Sequence, residues 1–249
     1  MSDGIDFVDL HKRLGGREIL RGVDLEAPVD RITFIVGPSG AGKSVTARHA
    51  AGLMRPDRGS VSVFGERVDT APESRLRQVR KACPFVLQGS AMLDGLDLRE
   101  NVMLGARAAG LGRREARDVA AGLLERVGLT GAGDRMPSEV GPGALMRTAV
   151  ARALALSPRM IIFDEPTSGL DPAAARRFDA LLVQLRSEGV GALVISHDLP
   201  SILNVPDRVH LLHEGRILLA GPPSLFRTSD DPVVRQFIDG RADGPLPVW

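Results

Sequence analysis

The sequence predicts an α/β protein with a mainly parallel sheet. Short apolar runs of strand length alternate with helical stretches along its 249 residues, as is typical of parallel sheets covered by helices. One apolar run, at residues 32–36, leads directly into a glycine-rich loop, and another, at residues 160–163, ends in two acids. Because ligands of open α/β sheets bind beyond the carboxyl ends of the strands, we expect a ligand site at this edge.

The N-terminal part of the chain predicts short strands separated by glycine turns. The expected strands lie at residues 5–10, 19–25, 32–36 and 61–64. A helix is expected over residues 44–53, directly after the glycine-rich loop, and the Arg-Pro-Asp-Arg-Gly turn at residues 55–59 follows it.

The remainder of the chain predicts mainly helices. Residues 99–126 are rich in Ala, Leu, Arg and Glu, with Gly105, Gly110 and Gly112 as interruptions. After a glycine and proline cluster at residues 128–143, helices and strands are expected to alternate, at residues 144–156, 160–163, 173–188 and 192–195. The tail from residue 232 holds Pro, Gly and Asp, and we expect it to extend beyond the core.

Composition excludes several classes of protein. The net charge of +1, from 32 basic and 31 acidic residues, gives no electrostatic footprint for nucleic acid. The single cysteine, Cys83, excludes a disulfide framework and a cysteine-based zinc site, and favours a reducing compartment. The first residues lack the basic start and apolar stretch of a signal peptide. No apolar run approaches the ~20 residues of a membrane helix, so another chain would have to provide any membrane span.

The glycine-rich loop fits the pattern G-x-x-x-x-G-K-[ST]. Such a loop points successive backbone N–H groups at a polyphosphate, and the start of the following helix favours the same anion. The lysine can reach the β- and γ-phosphates, and the last hydroxyl can hold Mg²⁺. A chance glycine loop is the simpler alternative for so short a pattern. The expected phosphate-binding residues are Gly37, Pro38, Ser39, Gly40, Ala41, Gly42, Lys43 and Ser44.

Four further polar residues follow apolar strands. Asp164 and Glu165 end the strand at 160–163, where one acid would help to hold Mg²⁺ and the other would orient or deprotonate water. Gln88 and His197 each follow another apolar run, and we expect them on the same rim. Taken alone, each has a plainer explanation: acids often start turns, and a lone histidine after a strand is more often a capping or surface residue.

Together these residues resemble the nucleotide-binding subunit of ABC transporters over nearly the whole chain. The resemblance makes residues 37–44 the Walker A loop, Asp164 the Walker B aspartate and Glu165 the catalytic base. Gln88 matches the Q-loop glutamine, which touches Mg²⁺ or the attacking water. His197 matches the switch histidine, which holds the γ-phosphate, and Ser-Gly-Leu-Asp at 168–171 matches the D-loop.

The resemblance also implies the architecture. It predicts a P-loop NTPase (RecA-like) core with a mainly parallel sheet, an N-terminal antiparallel β subdomain and an α-helical signature subdomain. We expect an ABC ATPase domain at residues 1–230, with the helical subdomain inserted at about 90–155, and a C-terminal extension at 231–249.

Two places depart from the family pattern. Where the family has L-S-G-G-[QM], this chain has Val-Gly-Pro-Gly-Ala at 140–144, so Gly141 replaces a serine that meets the γ-phosphate of the paired subunit. Pro142 also removes a backbone donor, while Gly143 keeps one. A lost hydrogen bond to a charged group is worth roughly 1.5–3 kcal/mol, which predicts slowed hydrolysis. Leu14 stands where many members place an aromatic residue on adenine, which predicts looser adenine binding and some tolerance of GTP.

Within the family, the likeness is to the ATPase of Mla- or Mce-type lipid transporters. It rests on residues 88–96 and on Asp-Pro-Val-Val-Arg-Gln-Phe-Ile-Asp-Gly at 231–240. The resemblance implies ATP and Mg²⁺ as cofactors, a second copy of the ATPase, membrane permease subunits, a possible small accessory subunit and no nucleic acid. It also implies a peripheral place on the cytoplasmic face of the inner membrane. Open alternatives are another ABC importer, for example for amino acids, a weakly hydrolysing regulatory partner, and a soluble ABC protein acting on DNA or ribosomes.

Overall fold

The chain forms two β-sheets in the computed structural model, which describes residues 3–246. The strands are β1 (Gly4–Leu14), β2 (Arg17–Pro28), β3 (Ile32–Val36), β4 (Arg58–Val63), β5 (Glu66–Arg67), β6 (Phe85–Val86), β7 (Met160–Asp164), β8 (Gly191–Ile195), β9 (Arg208–His213) and β10 (Arg216–Gly221). The helices are α1 (Lys43–Ala50), α2 (Glu73–Ala82), α3 (Leu98–Ala109), α4 (Arg113–Arg126), α5 (Pro142–Leu154), α6 (Pro172–Ser187), α7 (Leu199–Asn204), α8 (Pro223–Thr228) and α9 (Pro232–Asp239). Within the described residues, no helix is long and apolar enough to cross a membrane.

The smaller sheet is antiparallel and has the strand order β2-β1-β4-β5. Its strands alternate apolar and polar residues, so that one face of the sheet is apolar. Ile5 and Phe7 of β1 and Val61 of β4 are buried with Ala47 of α1 in one apolar cluster. This sheet confirms the predicted N-terminal antiparallel part.

The larger sheet positions the candidate site. Its strand order is β10-β9-β3-β8-β7-β6, and only β10 pairs antiparallel. Every residue of β3, β7 and β8 is buried, because apolar side chains cover both faces of the sheet. Since these strands are parallel, the segments that follow them start at one edge, as the sequence predicted.

Helices α3, α4 and α5 pack together as a helical layer. Asp97 and Glu100 form a capping box at the start of α3, and Gly110 ends it with φ 111°. Gly105, however, does not interrupt the helix as expected. It lies inside α3 at the contact with α5, where a Cβ would come within 2.1 Å of the Arg152 carbonyl oxygen.

The C-terminal residues pack on the core instead of extending beyond it. Val234 of α9 is 1% exposed and belongs to the same apolar cluster as Ile202 and Phe226. The buried Gln236 side chain accepts from the Leu246 N–H at 2.6 Å and donates to the Leu246 carbonyl at 3.1 Å. The Pro, Gly and Asp content of the tail predicted no helix, although residues 232–239 form α9. Trp249 lies outside the described residues, and the domain boundary at 230/231 stays a prediction.

Candidate active site

The glycine-rich loop joins β3 to α1, as predicted. Gly37, Gly40 and Gly42 have φ values of 144°, 79° and 104°, a region that favours glycine. A Cβ at Gly37 would lie 2.1 Å from the Leu212 carbonyl oxygen. The loop therefore needs these glycines both for its turns and for its close approach to β9.

Lys43 is held against the loop. Its Nζ donates to the Gly37 carbonyl at 2.8 Å and to the Pro38 carbonyl at 3.1 Å. Burial lowers the pKa of Lys43, and the nearby charges of Glu165 and Asp164 oppose that shift. The ammonium thus lies between the loop carbonyls and the acids at the end of β7.

The two acids at the end of β7 have separate partners. Buried Asp164 accepts a hydrogen bond from the Ser44 hydroxyl at 2.7 Å. Glu165 has a left-handed backbone, with φ 51°, and its N–H donates to the Ile195 carbonyl of β8 at 3.0 Å. Its Oε2 lies 2.6 Å from Nδ1 of His197, so that one acid faces the loop hydroxyl and the other faces the histidine.

Gln88 reaches the same cleft from the end of β6. Its side-chain amide donates to the Ser168 hydroxyl at 3.4 Å, a long hydrogen bond between the segments that follow β6 and β7. The glutamine is exposed, in contrast to the buried Asp164.

A cleft of about 440 Å³ brings most of the predicted residues together. Its lining consists of Leu14, Ile19, Ser39, Gly40, Gly42, Lys43, Ser44, Val45, Gln88, Glu165 and His197. Polar groups that follow three strands, β6, β7 and β8, face the phosphate loop, and the aliphatic side chains of Leu14, Ile19 and Val45 also line the cleft. The sequence did not predict Ile19 of β2 or Val45 of α1, because an apolar residue within a strand or helix is indistinguishable from a core residue in the sequence.

Gly141 and Gly143 lie elsewhere, at the start of α5. Exposed Gly141 is the N-cap of α5, with no side-chain hydrogen bond to the helix, and Pro142 is its first residue. The Ala144 N–H already donates to the Gly141 carbonyl at 2.9 Å. Gly143, which the sequence predicts to keep a backbone donor, lies between Pro142 and this engaged amide.

This combination defines a class of protein. A strand, a G-x-x-x-x-G-K-S loop and a helix, beside a parallel strand that ends in Asp-Glu, form a P-loop nucleotide hydrolase. The antiparallel sheet around α1 and the helical layer α3–α5 distinguish this molecule from a bare P-loop core.

Comparison with known proteins identifies the family. Residues 20–168 match the family described as ABC transporter, so the chain belongs to that family as an ATP-binding subunit. It is an ABC ATPase that binds ATP, and such ATPases form dimers and work with membrane permeases.

Two curated relatives and two solved structures illustrate the match. The intermembrane phospholipid transport system ATP-binding protein MlaF of Escherichia coli (strain K12) is 37% identical over 245 residues, covering 98% of this chain and 91% of the relative. The probable ribonucleotide transport ATP-binding protein mkl of Mycobacterium leprae (strain TN) is 33% identical and covers 99% of this chain and 72% of that protein. The dimeric, post-hydrolysis ATP-binding cassette MJ0796 with ADP and Pi has a TM-score of 0.79 at 25% identity, covering 88% of this chain and 98% of that one. The cassette cbiO1 of Clostridium perfringens matches with a TM-score of 0.83 at 24% identity and 95% of each chain, which concerns the fold alone.

Proposed function

We propose that this chain hydrolyses Mg·ATP with the residues of the cleft and thereby drives phospholipid transport. One observation carries the catalytic part of the proposal. The 2.6 Å contact between Glu165 and His197 faces the same cleft as Lys43 and Ser44. A candidate base and a candidate γ-phosphate ligand thus lie opposite the phosphate loop.

The residues present fit Mg²⁺. This ion prefers oxygen ligands and is usually bound by one or two carboxylates together with substrate phosphates. The Ser44 hydroxyl and the Asp164 carboxylate, 2.7 Å apart, supply such oxygens, and the Gln88 amide oxygen could supply another. Among the described residues there is no group of three or more His, Cys, Asp and Glu that could hold a metal. We therefore expect the ion to bind with the nucleotide, whose charge it would neutralise.

The side chains then divide the work of phosphoryl transfer. Lys43 stabilises charge on the β- and γ-phosphates, and Gln88 orients the attacking water. Glu165 accepts the proton of that water as its oxygen bonds to the γ-phosphorus and the bond to the β–γ bridging oxygen breaks. His197 holds Glu165 in place through its Nδ1 contact and presents the other edge of its ring to the γ-phosphate.

A second copy of the chain would complete each site. Gly141 and Gly143 do not line the cleft of their own chain, and a related cassette has been solved as a dimer. In a head-to-tail pair, the start of α5 from one copy would cover the nucleotide held by the other. Binding of ATP to the closed pair in preference to the open one would convert its energy into motion.

Phospholipid as the cargo is supported by the similarity to MlaF, which extends over 98% of this chain. By the same reasoning we place the chain on the cytoplasmic face of the inner membrane, peripherally bound to permease subunits and to a possible small accessory subunit. An amino-acid importer is the second candidate. The methionine import ATP-binding protein MetN 1 of Rhodococcus jostii is 38% identical over 206 residues, although this chain spans only 61% of that protein.

Changing Glu165 to Gln tests the catalytic assignment. The amide cannot accept the proton, so ATP turnover by the purified chain should fall by about 100-fold or more while ATP still binds. Under the proposal, Glu165→Gln with ATP also accumulates as a closed dimer, measurable by size-exclusion chromatography with light scattering. Turnover at the parent rate would show that Glu165 is not the base.

The cargo is tested with the complete transporter. The complex is isolated through a tag on this chain and reconstituted in vesicles that carry a fluorescent phospholipid. ATP-dependent transfer of the phospholipid that stops in the Glu165→Gln complex supports the proposal. Uptake of labelled methionine without lipid transfer would favour the second candidate.

A further inference from the structure

The segment after Gln88 has an unusual backbone. Gly89, Ser90 and Ala91 have φ values of 77°, 60° and 44°, so three successive residues are left-handed. Glycine adopts this conformation freely, but a Cβ makes it unfavourable for serine and alanine. Such a backbone persists only where its surroundings hold it in place.

Arg152 of α5 holds this left-handed segment in place. Its Nη1 donates to the Ala91 carbonyl and its Nη2 donates to the Ser90 carbonyl, each at 2.9 Å. One planar guanidinium thus fixes both peptide groups of the left-handed turn. Ser90 is only 4% exposed, so water has little access to compete at this residue, whereas the neighbouring Ala91 is exposed.

The far end of the segment is attached to the same helical layer. The fully buried Asn101 of α3 accepts from the Leu93 N–H at 2.9 Å and donates to the carbonyls of Leu93 and Leu96 at 3.1 and 3.0 Å. The close packing of Gly105 on the Arg152 carbonyl joins the two anchoring helices. Residues 89–96 are therefore bound to the helical layer, whereas the Gln88 side chain contacts Ser168 of the core.

We propose that Arg152 is a positioning residue for Gln88. It holds Ser90 and Ala91 in the left-handed conformation, so a displacement of α5 moves Gln88 in the active site. The first residues of α5 belong to the segment at 140–144 that replaces the L-S-G-G-[QM] sequence of the family. This inference rests on the proposed role of Gln88 in hydrolysis. Under this proposal, α5 contributes to two active sites. Its start faces the nucleotide of the partner, and Arg152 positions Gln88 of its own chain.

The test is a double-mutant cycle with ATP turnover of the purified full chain. Arg152→Gln should lower kcat by about 10- to 100-fold with little change in KM, the scale on which misplacing a positioned group by about 1 Å acts. In a Gln88→Ala background, the same change should have almost no further effect on kcat. The matched control is Arg80→Gln, because Arg80 also donates to two backbone carbonyls, those of Ala51 and Gly52. We expect this control to leave kcat near the parent value in both backgrounds.

Additive losses in the cycle would overturn the proposal, because they would mean that Arg152 acts independently of Gln88. If Arg152→Gln does not fold, Arg152→Lys keeps the charge and one donor, and should show a smaller loss with the same non-additivity. Hydrogen exchange separates this inference from the role of Gln88. Faster exchange at residues 89–92 in the Arg152 variant supports the anchoring even if Gln88→Ala keeps full turnover, and unchanged exchange contradicts it.

Discussion

Leu14 lines the cleft at the position where many family members place an aromatic residue. The residue is 39% exposed and lines the cleft together with Ile19. A purine base bound beside these two residues would contact their aliphatic carbons. Residue types predicted the place of the glycine-rich loop between β3 and α1, because the spacing of its glycines already sets its geometry, whereas phosphate binding by this loop stays a prediction. They did not predict the left-handed Glu165 or the Ser168 partner of Gln88, since both depend on neighbouring strands.

Introducing a ring at this position should tighten nucleotide binding. We expect Leu14→Tyr to lower the Kd of ATP by about two- to tenfold, since aromatic stacking is worth roughly 0.5–1.5 kcal/mol. Fluorescent-nucleotide titration measures the change. The control is Leu225→Tyr, because Leu225 is 40% exposed and does not line the cleft. Equal effects of the two changes would contradict a base site at Leu14.

At the scale of elements, the start of α5 combines good helix geometry with the loss of one backbone donor. Proline is well suited to the first position of a helix, because its fixed φ matches and its missing N–H has no partner there anyway. Any other residue at position 142 would have a backbone N–H there that is free to bind a phosphate. The sequence predicted α1, α3, α4, α5 and α6, but not α2, α7, α8 or the packed α9. It also predicted an interruption at Gly105, where α3 is continuous because its close contact with α5 requires a glycine.

Restoring the family residues should accelerate hydrolysis. The combined change Gly141→Ser and Pro142→Gly returns one hydroxyl and one N–H, and we expect kcat to rise by about tenfold or more if both meet the γ-phosphate. Steady-state ATP turnover is the measurement. Gly112→Ser is the matched control, since Gly112 is the N-cap of α4 and lies in open space. It should stabilise its helix without changing kcat. An unchanged kcat in the restored variant would instead favour a regulatory partner beside an active ATPase.

At the scale of the molecule, buried histidines make folding sensitive to acid. His210 of β9 is 2% exposed and borders a cavity of about 660 Å³ beneath the small sheet. Burial lowers the pKa of His210 to about 4, with the nearby Arg208 charge acting in the same direction. Burial also lowers the pKa of His49 in α1. Neither shift could be predicted from the sequence, because each depends on how the sheets close over the ring.

Acid should therefore destabilise the fold through His210. The pKa of His210 is about 4 in the folded chain and about 6.5 in the unfolded chain. Between these values the unfolded chain binds a proton at His210 that the folded chain does not bind. Between pH 7 and pH 5 the parent should lose about 2 kcal/mol more unfolding free energy than His210→Gln. Urea unfolding at both pH values measures the difference. Parallel losses in the two proteins would show that His210 is protonated in the folded state.

The Gln236 amide has a consequence for any shortened version of this chain. Its partners lie at Arg241 and Leu246, so residues 241–246 complete the burial of the Gln236 side chain. A chain cut at residue 240 would leave that side chain without these partners beside the core. Leu246 is itself buried, so a change at this residue would also disturb the packing of α9. Residues 241–246 thus carry folding information for the helix that precedes them.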